Sequence, residues 1–193
     1  ASPYYFDYLG QGYYDWTDED NFYGTGRRGG GVIASGSGKT DSTGHFVTPV
    51  KADLGKNDYS QKFTTEAQVT DINDRVVANR TDVVVHQGMF YIGLSPEKYV
   101  GKVGEKQPIN VKTVDWDSKD VGQTNATVVF YRREWFNVQE QTNNGPVWTT
   151  TFSDTAVNTQ TVTTDASGQA IASFTPEQGG TYRIVATGKD SHG

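Results

Sequence analysis

The stretch Thr40-Asp41-Ser42-Thr43-Gly44-His45-Phe46 returns as Thr164-Asp165-Ala166-Ser167-Gly168-Gln169-Ala170. This repeat constrains the fold more than any other feature of the sequence. A Thr-Asp-x-x-Gly unit is a tight turn between strands. The Asp carboxylate bonds backbone N–H groups two residues on, and Gly supplies the left-handed position. A second echo follows, in which Phe63 precedes Ala67 and Asp71 as Tyr182 precedes Ala186 and Asp190. A chain of 193 residues that repeats its strand grammar once has room for two small domains of about 100 residues each.

The runs between the turns are short and rich in Val, Thr, Ile, Tyr and Phe. They alternate with period two, and no i, i+3, i+4, i+7 apolar stripe with caps is present, so the pattern is all-β. Ile109 and Val111 alternate with polar residues and lead to a turn at Asp117–Asp120. Residues 125–138 form a long strand with Ala126, Val128 and Phe130 on one face and Thr127, Val129 and Tyr131 on the other. Residues 147–152 and 157–164 read as two strands. Ala170, Ala172 and Phe174 share a face, as do Tyr182, Ile184 and Ala186, with a turn from Pro176 to Gly180 between them. With a strand near 97–104 the count is about seven, as in an immunoglobulin-like sandwich.

In the first half, Val76–Val85 is a strand and Tyr4–Tyr8 is a candidate strand. Residues 88–96 read as a junction. Gly10, Gly12, the acidic aromatic stretch Tyr13–Tyr23 and the glycine run Gly24–Gly31 form a long irregular excursion. No opening pair of strands matches residues 97–117. The expected organisation is therefore two tandem immunoglobulin-like antiparallel β-sandwiches. One spans residues 1–93, incomplete at its N-terminus, with the excursion at 10–36; the other spans 94–193. The expected core faces are Phe46, Phe63, Ala67, Val69, Val83 and Val85 in the first, and Ile109, Val111, Val128, Phe130, Phe174, Tyr182 and Ile184 in the second. An incomplete first sandwich would leave a strand edge open to association with another chain.

Composition excludes whole classes of chemistry. No cysteine is present, which removes disulfide scaffolds, zinc fingers, iron–sulfur clusters, cysteine proteases and any thioester within the chain. A net charge of -6 argues against nucleic acid, whose binding needs clustered Lys and Arg. No apolar run approaches the ~20 residues of a membrane-spanning helix. Residues 1–20 are aromatic and acidic, unlike a signal peptide. Only 34% of residues are hydrophobic, which the aromatic side chains offset, each able to bury about 150–250 Å².

Each motif has a plainer reading beside it. Gly36-Ser37-Gly38-Lys39-Thr40 resembles the end of a phosphate-binding loop. Ile33 stands where that loop needs Gly, and a turn follows where it needs a helix, so nucleotide binding is not expected. Asp15, Asp18, Glu19, Asp20 and Asn21 form an acidic cluster of the kind hard cations use, without EF-hand spacing. Asp115, Asp117 and Asp120 flank Trp116. A solvated loop and a strand-end turn are the preferred readings. No metal or cofactor is expected, and Asp15, Asp18, Asp20, Asp115 and Asp117 are the residues to check. His45, His86 and His192 lack metal-type partners at short spacing, and no Gly-x-Ser-x-Gly elbow exists. Nothing supports paired carboxylates for glycoside hydrolysis. The aromatics Tyr4, Tyr5, Tyr8, Tyr13, Tyr14, Trp16, Phe22 and Tyr23 could build a carbohydrate platform, against which stands a loop that anchors itself by burying its rings. Asn79-Arg80-Thr81 and Asn125-Ala126-Thr127 fit the glycosylation sequon.

A family resemblance rests on Phe90-Tyr91-Ile92-Gly93-Leu94-Ser95-Pro96 running into Tyr99-Val100-Gly101-Lys102-Val103-Gly104-Glu105. Val114-Asp115-Trp116-Asp117, Arg133-Glu134-Trp135, Thr164–Gly168, Gly179-Gly180-Thr181-Tyr182-Arg183-Ile184 and Asp190-Ser191-His192-Gly193 follow in order. Tyr4–Tyr8 adds to it. Together these resemble bacterial alpha-2-macroglobulin family proteins in their tandem macroglobulin-type domains, near the third and fourth of the series. The resemblance implies large extracytoplasmic proteins (cell surface, periplasm or secreted) that inhibit proteases by entrapment. A protease cuts a bait region, the inhibitor changes shape, and in many members a thioester captures the attacker. The thioester's Cys-Gly-Glu-Gln is absent here, and no bait region is identifiable, although the excursion at 10–36 would be cuttable.

The expectation is therefore a non-catalytic scaffold segment, not an enzyme. Its partners would be neighbouring domains of the parent chain and, through the parent, target proteases. The alternatives are an adhesin-type array of immunoglobulin-like repeats and a carbohydrate-binding module, since fold alone does not imply function.

Overall fold

The computed structural model describes residues 1–18, 20, 31–55, 59–142 and 145–191. The named elements among them are strands: β1 (Ser2–Pro3), β2 (Gln61–Thr70), β3 (Val76–Val85), β4 (Tyr91–Pro96), β5 (Gln107–Val114), β6 (Asn125–Thr142), β7 (Gly145–Thr163), β8 (Gln169–Phe174) and β9 (Thr181–Gly188). All pairings are antiparallel. The chain divides into two compact units, Ala1–Asp7 with Glu19–Met89 and Tyr8–Asp18 with Phe90–Gly193. The opening part of the excursion thus goes with the second unit, although the first unit separates it from β4 in sequence.

The second unit holds two three-stranded sheets, β4-β5-β8 and β7-β6-β9. Their central strands, β5 and β6, supply most of the core. Alternation places Ile109 and Val111 of β5, Ala126, Val128 and Phe130 of β6, and Ala172 of β8 in one buried cluster. Ile92, Leu94, Val162, Ala170, Phe174, Ile184 and Ala186 close around it. Inner faces from both sheets therefore meet in one apolar layer, the arrangement of a sandwich.

The details differ from expectation in three places. The first strand is Tyr91–Pro96, inside the expected junction 88–96, whose ends Gly88 and Pro96 punctuate in the sequence. Residues 97–104 are loop, with Tyr99 and Val100 75% and 85% exposed. The strands expected at 147–152 and 157–164 are one strand, β7, paired with β6 along its whole length across a register shift at Phe130/Tyr131. A bulge lets a long hairpin bend without breaking its ladder. Beyond Arg133, where pairing with β9 ends, the β6–β7 hairpin continues as a two-stranded ribbon.

Among its described residues the first unit forms one sheet, β1-β2-β3. Its strand ladder is regular, but its expected core is not buried. Phe63 is buried and Val85 half-buried, whereas Phe46, Val69 and Val83 are about half exposed and Ala67 is also exposed. Period two assigns these side chains to a face; burial needs an opposing layer, and no second sheet of this unit occurs among the described residues. The strand expected at Tyr4–Tyr8 ends at Pro3, with the Tyr4 N–H donating to the Ser60 carbonyl at 3.0 Å.

Candidate functional site

One turn occurs four times among the described residues. At Asp41, Asp71, Asp115 and Asp165, Oδ1 accepts the backbone N–H groups two and four residues on: Thr43 and His45, Asn73 and Arg75, Asp117 and Lys119, Ser167 and Gln169. The position three residues after each Asp has positive φ and is occupied by Gly44, Asp74, Ser118 and Gly168. Only the two copies with Gly were legible as a repeat. Hydrogen bonding holds the carboxyls of Asp41, Asp71 and Asp165 below the usual range, led by the Thr43 hydroxyl at Asp41 and by the amides of Arg75 and Gln169 at the others.

The Asp115 and Asp165 turns are locked together at one end of the sandwich. Lys112, with its side chain 7% exposed, pairs with Asp120 at 2.6 Å and donates to the Ser167 carbonyl at 2.8 Å. Behind it Thr113 and Thr164 are buried. The Thr113 hydroxyl donates to Thr164, whose own oxygen accepts the Thr124 N–H at 3.1 Å. Buried hydroxyls partnered in this way fix loop geometry without desolvation loss. A Cβ on Gly122 would stand 2.8 Å from the Ala166 Cα, so the two loops meet backbone to backbone.

A second cluster links the excursion to the sandwich. Asp15 forms an isolated bridge with Leu94 on the outer edge of β4. The Asp15 N–H donates to the Leu94 carbonyl at 2.8 Å and the Leu94 N–H to the Asp15 carbonyl at 3.0 Å. The Trp16 indole lies over Gly93, where a Cβ would come within 2.8 Å of the ring. Tyr8 and Tyr14 pack on that indole at 4.8 and 5.7 Å between centroids. Asp18 pairs with Arg183 of β9, which also reaches Asp154 of β7 at 3.5 Å. Asp154 receives a two-pronged bond from Arg133 of β6, Nε at 2.8 Å and Nη2 at 2.7 Å. The Arg133 guanidinium covers the Phe152 ring at 3.7 Å. The Arg133 hydrogen bonds and the charges of Arg133 and Arg183 hold Asp154 below the usual carboxylate range.

The sequence-derived candidates fall within these arrangements. Asp15 accepts from the Tyr13 hydroxyl at 3.0 Å, Asp18 faces Arg183, Asp117 faces Lys119 at 3.1 Å, and Asp115 is spent on its own turn. Asp20 is half-buried. Among the described residues no three His, Asp or Glu side chains gather as metal ligands would. Glu19, Asn21, Phe22, Tyr23 and His192 lie outside the described residues. Tyr8, Tyr14 and Trp16 are half-buried and pack against one another, in line with the self-anchoring reading, while Tyr5 and Tyr13 are exposed. Gly36–Thr40 is loop and leads into the Asp41 turn. Sequence reasoning missed Arg133, Asp154 and Arg183 as a set, because only the cross-strand register brings them together, and it missed Lys112 between the two turns.

Residues 93–193 match the family model described as bacterial macroglobulin domain 6. No curated protein matches the chain. Among solved structures it is similar to a mutant of Salmonella alpha-2-macroglobulin, at 14% identity and a TM-score of 0.47 over 67% of this chain and 9% of that one. It is also similar to the native conformation of E. coli alpha-2-macroglobulin, at 14% identity and a TM-score of 0.44 over 66% and 10%. The chain thus spans about a tenth of the length of each. The matched model is the sixth domain of the bacterial series, which corrects the expected position near the third and fourth. The match covers more than half of the 193 residues, and the chain belongs to the bacterial macroglobulin domain 6 family.

Proposed function

We propose that this chain is a non-catalytic scaffold segment of a bacterial alpha-2-macroglobulin-like inhibitor that entraps proteases outside the cytoplasm. The observation that carries the reading is the family match over 93–193. The side-chain chemistry is in keeping with it: the candidate carboxylates are engaged with backbone amides, lysines and arginines. Its partners are neighbouring domains of the parent chain and, through the parent, its target proteases. Two domains, expected as 1–93 and 94–193, follow the two compact units, Ala1–Asp7 with Glu19–Met89 and Tyr8–Asp18 with Phe90–Gly193, so that β4 stays whole in the second. The test is to sequence the parent gene on both sides of this segment. Further macroglobulin-type sandwiches with a bait-like stretch support the reading. Uniform immunoglobulin-like repeats would favour an adhesin instead.

A second reading, carbohydrate binding, draws on the ribbon beyond Arg133. Trp135 and Trp148 are 55% and 68% exposed there, and the register sets them on one face with Asn137 and Gln139. Rings alternating with amides suit an uncharged polyhydroxyl ligand. Quenching of tryptophan fluorescence by an oligosaccharide panel supports it, and a flat response across the panel removes it.

A further inference from the structure

We infer that the outer edge of β4, with Gly93 and Arg183, is a recognition site for an extended acidic–aromatic segment, which residues 8–18 fill as a detachable strap. The inference does not depend on the inhibitor reading.

The site has three parts in a row. Leu94 offers its N–H and C=O to an incoming backbone, and Asp15 takes both. Beside it, Gly93 leaves a notch that any side chain would occupy, and the Trp16 indole covers it. Farther on, Arg183 supplies a cation, and Asp18 meets it. Main-chain pairing at a sheet edge gives affinity, and pockets for alternate side chains give specificity. The segment that fits is extended, with a carboxylate two residues after an indole. The strap carries that pattern in Trp16-Thr17-Asp18 and has no cation between residues 8 and 18, which matches the charge it meets.

Its attachment is that of a removable ligand rather than a sheet strand. It pairs with β4 through a single bridge, at Asp15 and Leu94. Its far end is held where the Leu9 N–H donates to the Ser118 hydroxyl at 3.1 Å, while the Leu9 side chain is 78% exposed and Tyr13 68%. The Glu19–Met89 part of the first unit lies between the strap and β4 in sequence. Opening the strap therefore frees the β4 edge for a segment of the same chemistry in trans.

The test uses the full chain, the variant Trp16→Ala/Asp18→Ala, and a fluorescein-labelled synthetic peptide of residues 8–18. The emptied variant is expected to bind the peptide saturably. The wild-type chain should bind it at least about tenfold more weakly, because its own strap occupies the site most of the time. Adding Gly93→Val to the variant should abolish binding. Equal binding by wild type and variant, or none by a folded variant, overturns the proposal. Hydrogen exchange of the wild-type Leu94 amide gives a second readout that needs no substitution. A detachable strap lets it exchange faster than the amides of the buried β6 stretch, Ala126–Phe130; exchange only together with that stretch overturns the proposal.

Discussion

The Phe130 ring stacks on that of Phe174 with centroids 5.2 Å apart and planes inclined by 29°, which ties β6 of one sheet to β8 of the other. Phe130 is 1% exposed. Replacing it by Ala removes the transfer energy of the ring and leaves a cavity between two stiff sheets, a loss of about 3–5 kcal/mol. Urea unfolding of Phe130→Ala measures this. A change below about 1 kcal/mol would mean that the ring does not bridge the sheets.

Gly104 and Gly168 both have positive φ, 80° and 68°, yet their surroundings differ. A Cβ on Gly104 meets open space, whereas one on Gly168 runs into the Thr113 carbonyl oxygen. Gly104→Ala is expected to cost only the left-handed backbone term, about 1–2 kcal/mol. Gly168→Ala adds a backbone clash and should cost clearly more. Equal thermal shifts for the two variants would show that the Asp115 and Asp165 turns are not packed as described.

Acid should loosen the turns. The Gln169 amide and the Ser167 groups hold the Asp165 carboxyl below its ordinary value, as the Arg75 and Asn73 amides hold Asp71. A folded-state pKa below the unfolded one makes a contribution that is complete above the unfolded pKa, about 3.9. It is lost as pH falls through the folded pKa. Asp165→Asn keeps the acceptor oxygen but cannot titrate, so its melting temperature should fall less steeply than wild type below pH about 4. Parallel slopes for the two proteins would remove Asp165 from the acid response.

The two-pronged pair of Arg133 and Asp154, with side chains 9% and 15% exposed, should couple by about 1.5–3 kcal/mol in a double-mutant cycle of Arg133→Ala and Asp154→Ala. Arg133→Lys should not restore it, since an ammonium cannot make the fork. Full rescue by lysine would reduce the pair to simple charge attraction.

In the first unit, β2 and β3 make a regular ladder whose apolar face stays open, with Val69, Val77 and Val83 56–71% exposed. Amides of 61–85 should therefore exchange with solvent far faster than those of 126–130 and 184–186. Equal protection in both stretches would mean that the open face is covered in solution.

These relationships were unequally legible in the sequence. Period two placed Ala126, Val128 and Phe130 on one inward face, because a central strand with a buried face leaves no freedom of register. The same rule misplaced Val69 and Val83: it sees a face, and only the fold decides whether a second layer opposes it. Tyr91–Pro96 was hidden because Gly88 and Pro96 punctuate the stretch as a junction, and nothing local shows that Gly93 is the gap that seats Trp16. The Asp71 turn escaped, and the turn expected at Asp117–Asp120 was not linked to the repeat, because Asp74 and Ser118 stand where Gly was sought; an Asp with two amides to bind tolerates that strain. No local signal announces that Asp18 will meet Arg183, since that pairing is a property of the folded edge.

The most direct test of the scaffold account incubates the intact parent protein with a protease and follows two substrates, a short chromogenic peptide and a large protein. Entrapment predicts that cleavage of the peptide persists while cleavage of the protein is lost. Loss of both together, or retention of both, would contradict the account.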